Sequence, residues 1–92
     1  MLELQHSRKA IQNLDSISVY YETQSPGLGY EFAKYYNEQI SMLKTFHVMC
    51  RAGIRAGTRE MVMQKFPYIV VYRVKATHIQ IVTVYHQKLQ QP

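Results

Sequence analysis

The stretch from Thr58 to His86 reads TREMVMQKFPYIVVYRVKATHIQIVTVYH and contains three runs rich in Val, Ile, Tyr and Thr. The runs are Arg59–Gln64, Tyr68–Val74 and Ile79–Tyr85. Such side chains are typical of strands, because they pack well on a pleated surface. The connections between the runs are a few residues long, too short for the crossover that joins parallel strands. The stretch therefore predicts a three-stranded antiparallel meander.

Two amphipathic helices are predicted before the meander. Ser7 is a suitable N-cap, and apolar residues then recur at helical spacing from about Arg8 to about Thr23. This first stripe consists of Ala10, Leu14, Ile17 and Tyr21. Ser25-Pro26-Gly27 interrupts the pattern, and a second helix follows that should end near Lys44. Its stripe consists of Leu28, Phe32, Tyr36, Ile40 and Leu43.

These elements predict an α+β fold. Leu2–His6 alternates apolar and polar side chains, which indicates a short N-terminal strand. We expect the helix hairpin to pack on a small antiparallel sheet made of this strand and the meander. The length of 92 residues indicates a single domain spanning residues 1–92. Between the second helix and the sheet, Thr45–Gly57 is predicted as a long connection, and loops of such length are often functional or mobile.

The charge is distributed unevenly along the chain. Residues 1–41 carry three Lys or Arg against five Asp or Glu, whereas residues 42–92 carry eight Lys or Arg against Glu60, so the nets are −2 and +7. A basic patch on a small domain attracts polyanions or acidic protein segments, and the sequence leaves both open. No apolar run is long enough to cross a bilayer, and the N-terminus has no apolar signal core. With Cys50 as the single cysteine, these features predict a cytoplasmic protein without a disulfide or a membrane span.

Several kinds of catalytic site are excluded by the residues that are missing. The chain has no Gly-rich phosphate loop, no Cys-x-x-Cys and no His-x-x-x-His pattern, so neither a nucleotide cofactor nor a metal is predicted. A single aspartate, Asp15, gives little support for a serine-hydrolase triad. Cys50 beside Arg51 has either a lowered thiol pKa or the role of a small apolar residue, and its role stays open.

Five residues are candidates for a functional site: Arg51, Arg55, Arg59, Arg73 and His86. Arg73 should share a strand face with Ile69 and Val71, where arginine is costly unless it meets an anion or a carboxylate. Two alternatives are open, a phosphate or acidic group of a partner, or an internal ion pair with Glu60. His86 is either a proton donor or a structural hydrogen-bonding residue.

The order of these elements resembles the RelE/ParE superfamily of toxins from bacterial type II toxin–antitoxin systems. The similarity covers nearly the whole chain, although relatives often have a proline and a glycine where His47 and Cys50 stand, and an aspartate where Asn13 stands. The blocks that carry it are Ala10-x-x-Asn13-Leu14-x-x-Ile17-x-x-Tyr20, Gly57-Thr58-Arg59-Glu60, Phe66-Pro67-Tyr68-Ile69-Val70-Val71-Tyr72-Arg73-Val74 and Ile81-x-x-Val84-Tyr85-His86.

The resemblance implies one of two activities. ParE-like members inhibit DNA gyrase and need no cleavage chemistry of their own. RelE-like members are ribosome-dependent endoribonucleases that cut mRNA, and in that case Arg59 and Arg73 would stabilise charge on the phosphate and His86 would be the acid. Tyr72-Arg73-Val74 and Val84-Tyr85-His86-Gln87 look closer to ParE. We therefore expect a gyrase inhibitor, with the ribonuclease as the alternative.

The resemblance also implies a partner protein. Toxins of this superfamily are neutralised by a cognate antitoxin, usually through an acidic, partly disordered segment that wraps around the toxin. The net charge of +7 in residues 42–92 fits such a segment. We expect a toxin–antitoxin hetero-oligomer, with Arg51, Arg55, Arg59, Arg73 and His86 as the residues that bind the partner.

Overall fold

The computed structural model describes residues 2–88 and contains three helices and five strands within that range. The helices are α1 (Arg8–Gln24), α2 (Leu28–Ser41) and α3 (Leu43–Phe46). The strands are β1 (Glu3–His6), β2 (Arg51–Ala52), β3 (Arg59–Val62), β4 (Tyr68–Val74) and β5 (His78–His86).

Ser7 begins α1 and attaches it to the sheet. Its Oγ accepts a hydrogen bond from the Ala10 backbone N–H at 3.0 Å, as an N-cap does, and donates one to the Val82 carbonyl at 2.7 Å. The Ser7 backbone N–H also donates to the Ile81 carbonyl at 2.9 Å. One residue thus sets both the start of the helix and its position on β5.

The turn between α1 and α2 depends on two glycines and one carboxylate. Gly27 has a φ of +88°, which favours glycine. The Glu22 carboxylate accepts hydrogen bonds from the backbone N–H groups of Gly27 at 2.9 Å and Gly29 at 3.1 Å. A Cβ at Gly29 would lie 2.6 Å from the Ser18 carbonyl oxygen, so this glycine lets the two helices approach closely.

The sheet has the order β1-β5-β4-β3-β2. The meander of β3, β4 and β5 is antiparallel, as predicted, and β4 has the predicted bounds. β1 pairs with β5 in parallel, so the sheet is mixed and the expectation of a purely antiparallel sheet is wrong at this edge. The helices and the strands β2, β3 and β4 separate β1 from β5 in the chain, so local sequence gives no signal for the direction of that pair.

The hydrophobic core lies between the helix hairpin and one face of the sheet. Both predicted helical stripes face it, and the buried members of the helices are Ala10, Ile17, Phe32, Tyr36, Ile40 and Leu43. Tyr21, Phe32, Phe66 and Tyr68 form an aromatic cluster with ring centroids 5.1–6.2 Å apart. The α+β class and the packing of the hairpin on the sheet are confirmed.

The predicted connection between α2 and the meander contains regular structure. α2 ends at Ser41, earlier than Lys44, because the Met42 N–H bonds back to the Gln39 and Ile40 carbonyls and tightens the last turn. α3 follows at once, and β2 adds an edge strand to β3. Among the described residues, no helix combines the length and apolar character of a membrane span.

Candidate partner-binding site

Arg59 fixes the segment that follows α3 to the sheet. Its Nη1 donates hydrogen bonds to the carbonyl oxygens of Val48 at 3.1 Å and Cys50 at 2.8 Å. Tyr72 lies opposite Arg59 in the sheet, and its hydroxyl donates to the His47 carbonyl at 2.6 Å. Burial, followed by hydrogen bonding to Cys50, raises the pKa of Tyr72, so the hydroxyl remains a donor near neutral pH. The segment from His47 to Cys50 is therefore anchored at several points.

Arg73 lies on the opposite face of the sheet. Tyr68, Val70 and Tyr72 belong to the core cluster against the helices, whereas Ile69 and Val71 are buried outside that cluster, so Arg73 shares the face that strand alternation predicted. The Arg73 Nη1 donates to the Ala56 carbonyl at 3.1 Å. Gly57 has a φ of +78°, and a Cβ there would lie 3.2 Å from the same Nη1, so glycine leaves room for the guanidinium.

The ion pair proposed from the sequence for Arg73 is made by Arg51 instead. Arg51 stands opposite Glu60 in the pair of β2 with β3, and its Nε and Nη2 both lie 2.9 Å from Oε1 of Glu60. The Glu60 side chain is 4% exposed and that of Arg51 is 58% exposed. A buried carboxylate without a nearby cation would destabilise the fold. The main role of Arg51 is therefore to neutralise the charge of Glu60.

Tyr85 completes this cluster from β5, and sequence reasoning missed it. Its hydroxyl lies 3.5 Å from Oε2 of Glu60, at the limit of a hydrogen bond. Burial, followed by the charge of Glu60, raises the pKa of Tyr85. The cluster is hard to predict from the sequence, because β2 has only two residues and Arg51 stands nine positions before Glu60.

His86 lies at the other end of the sheet. It stands opposite Tyr68, and the two rings meet edge to face with centroids 5.3 Å apart. Its Nδ1 accepts a hydrogen bond from the Lys88 backbone N–H at 3.1 Å. Burial and the neighbouring Tyr21 raise the pKa of Tyr68 to about 12.

The structure separates Arg59, Arg73 and His86. Arg73 stands opposite Gln80, and His86 stands opposite Tyr68, five residues away along β4. At about 3.4 Å per residue, the two positions are about 17 Å apart. Arg59 and Arg73 are close along the sheet but lie on opposite faces. The three side chains therefore do not surround one common point.

The loop between β2 and β3 has a defined conformation and carries Arg55. The Gly53 N–H donates to the Thr58 carbonyl at 2.8 Å, and the Thr58 hydroxyl donates to the Arg55 carbonyl at 2.6 Å. Ile54 is 74% exposed, and Arg55 is also exposed. The loop thus presents an aliphatic and a cationic side chain to solvent.

An apolar groove runs between the helices and the free edge of β3. It has a volume of about 480 Å³, and its lining residues are Gln39, Met42, Leu43, Phe46, Met49, Cys50, Met61, Val62 and Gln64. Met42, Phe46 and Met49 expose half or more of their surface, Met49 as much as 76%. Methionines in such a groove adapt to the shape of a partner. This surface is not evident from the sequence, because helical spacing assigns Leu43 to the core but does not show which neighbours stay exposed.

Residues 4–90 match the family model described as "ParE toxin of type II toxin-antitoxin system, parDE". A relative from Sinorhizobium fredii (strain NBRC 101917 / NGR234), described as "Putative toxin Y4kP", is 30% identical over 84 residues, which cover 91% of this chain and 86% of the relative. A solved structure described as "Chromosomal ParDE TA system from P. aeruginosa" is similar with a TM-score of 0.86 and 26% identity. The match covers 94% of this chain and 96% of the other. The chain belongs to the ParE toxin family of type II toxin–antitoxin systems.

Proposed function

We propose that this ParE-family toxin acts in the cytoplasm by inhibiting DNA gyrase, without cutting nucleic acid itself. The observation that supports this choice is the separation of Arg59, Arg73 and His86 over two faces and two ends of the sheet. Cleavage by 2′-hydroxyl attack needs a base, an acid and a cation within hydrogen-bond reach of one phosphate. A binding inhibitor has no such requirement.

We further propose that the apolar groove receives an acidic segment of a cognate antitoxin. Two cations, Lys44 and Lys65, are neighbours in the chain of residues that line the groove, as is one exposed acid, Glu38, whereas the nearby Arg51 is paired with Glu60. A segment with apolar side chains toward the methionines and carboxylates toward these cations would be complementary in shape and charge. The backbone of Val62 belongs to β3 beyond the two residues that β2 covers, so an extended segment could also pair there.

Two assays distinguish inhibition of gyrase from cleavage of mRNA. Purified toxin in stoichiometric excess should reduce supercoiling by gyrase or accumulate gyrase–DNA cleavage complexes. The same preparation should leave mRNA intact on translating ribosomes. Unchanged gyrase activity would refute the proposal, and mRNA cuts at codon positions that Arg73→Ala abolishes would establish the ribonuclease instead.

A further inference from the structure

One end of the sheet gathers four cationic residues from different segments. β3 begins there with Arg59, β4 ends there just after Arg73, and β5 begins there. Arg55 comes from the loop before β3, and Lys75 comes from the turn after β4. The Arg73–Ala56 hydrogen bond joins this loop to β4. We call these four residues the basic end of the sheet.

Arg59 and Arg73 keep their positive charge uncompensated. Both donate to carbonyl oxygens, which hold a guanidinium without neutralising it. Within residues 2–88, neither has a carboxylate oxygen within 4.0 Å. Glu60 is paired with Arg51, so the remaining acid is the exposed Glu3, which begins β1 at this end, opposite His78 and two strands away from β4. The field at this end is therefore positive.

The two arginines are also held in place before any ligand arrives. Each hydrogen bond described for them uses Nη1, and a guanidinium has five N–H donors, so further donors remain for an anion. An arginine that is already ordered loses less side-chain entropy on binding. Such fixed cations suit the oxygens of a phosphate.

The shape of this end favours a phosphate backbone over a protein segment. The depression beside it, about 320 Å³, is lined by Ala52, Gly57, Thr58, Arg59 and Val74 and has no aromatic side chain. Protein partners generally anchor a large apolar side chain in a deep pocket, and the methionine-lined groove offers that elsewhere. At the basic end, Ile54 and Val74 are single exposed aliphatic side chains among cations. Proteins that bind the minor groove of DNA likewise combine cationic side chains with single apolar ones.

We propose that the basic end binds the sugar–phosphate backbone of a nucleic acid. This contact goes beyond gyrase inhibition, since it concerns direct binding of the toxin to a polyanion in the absence of gyrase. The contact is electrostatic and independent of sequence, and it uses Arg55, Arg59, Arg73 and Lys75 as phosphate ligands.

Salt dependence of binding tests the proposal. Purified toxin is titrated against a labelled short DNA duplex and a labelled single-stranded RNA, between about 50 and 300 mM salt, with fluorescence anisotropy as the readout. Four phosphate contacts predict a slope of log affinity against log salt of about −3.6 for the duplex and about −2.8 for the single strand. The nucleic acid that binds more tightly at matched salt identifies the preferred ligand class, and the slope for each counts its phosphate contacts.

Single variants locate the contact. Arg55→Gln, Arg73→Gln and Lys75→Gln should each make the duplex slope shallower by about 0.9 and lower the affinity about eightfold at 0.1 M salt. Lys75 has no side-chain hydrogen bond among the described contacts, so Lys75→Gln should leave the fold intact. Lys9→Gln and Lys34→Gln are matched controls, because both lysines are exposed on the helices.

Three results would overturn the proposal. The first is absence of binding to both nucleic acids at the lowest salt. The second is an equal loss of affinity in the control variants, which would indicate diffuse attraction. The third is tighter binding to a polyglutamate peptide of equal charge, which would assign the basic end to an acidic protein. Gyrase is absent from these titrations, so their failure is distinguishable from failure of the gyrase proposal.

Discussion

Several polar side chains that are buried or half-buried within residues 2–88 have hydrogen-bonding partners. Glu60 has Arg51, Tyr72 has the His47 carbonyl, and Arg59 has two carbonyls of the preceding segment. Each partner comes from a segment that lies apart in the chain. The candidate residues named from the sequence therefore have structural duties that their types alone did not indicate.

His6 makes stability depend on pH. Its Nε2 lies 2.9 Å from the Tyr36 hydroxyl, and burial lowers the pKa of His6 below the 6.5 of an exposed imidazole. As the pH falls through 6.5, the unfolded chain takes up the proton before the folded one. The free energy of unfolding should thus hold its value above pH 6.5 and decrease below it, as urea titrations at several pH values would measure.

His6→Gln should flatten this dependence, because glutamine does not titrate. His78→Gln is the matched control, since His78 is a half-exposed imidazole in the same sheet that bonds to the neighbouring Thr77 hydroxyl. If the free energy of unfolding of the wild type rises as the pH falls, His6 is not the group responsible. The same conclusion follows if His6→Gln leaves the pH dependence unchanged.

At the scale of elements, Asn13 fixes α1 to an irregularity in β5. The register of β4 with β5 shifts between Val71 and Tyr72, and the strand bulges near Thr83. The Asn13 Oδ1 accepts hydrogen bonds from the Thr83 hydroxyl at 2.7 Å and the Val84 backbone N–H at 3.1 Å. Both neighbours are donors, so the position requires an acceptor.

Substitutions at Asn13 test this requirement. Asn13→Leu removes the acceptor from two donors on buried residues and should lower the free energy of unfolding by about 2 kcal/mol. Asn13→Asp keeps the acceptor and should retain or increase stability, because charge-assisted hydrogen bonds are stronger. Urea denaturation measures both. An equal decrease in the free energy of unfolding in the two variants would show that side-chain shape, and not hydrogen bonding, determines the contribution of Asn13 to stability.

At the scale of the whole molecule, two surfaces of different character lie on different parts of the fold. The groove is apolar and bounded by the helices and β3, whereas the basic end is formed by loops and strand termini. One protein can therefore hold an antitoxin and contact a second partner through separate residues. Variants should be able to impair one contact and spare the other.

Met49→Asp should weaken binding of the cognate antitoxin by about tenfold or more, because it places a carboxylate among the groove residues and against an acidic segment. Met49 is 76% exposed, so the stability of the free toxin should change by less than about 0.5 kcal/mol. Calorimetric titration with the antitoxin measures the affinity. Tyr30→Asp is the control, since Tyr30 is 71% exposed on α2 and lies outside the groove. Unchanged affinity for Met49→Asp, or an equal loss for Tyr30→Asp, would place the antitoxin elsewhere.

The sequence by itself determined most elements of this protein, with α3 and β2 as the exceptions. Helical spacing located the apolar faces of α1 and α2, and strand alternation placed Arg73 on the face opposite Tyr72, because both patterns are local and follow backbone periodicity. The stretch from Thr58 to His86 likewise predicted the meander, with β4 at its observed bounds. The resemblance carried by these blocks led to the family that the comparisons confirmed.

Only the tertiary structure decided which residues meet. The parallel pairing of β1 with β5, the pairing of Arg51 with Glu60 and the separation of His86 from Arg73 all depend on strand register between distant segments. Register follows from the packing of the whole sheet against the helices, and no local pattern encodes it. For the same reason the sequence named Arg55, Arg59 and Arg73 without showing that the fold gathers them with Lys75 at one end of the sheet.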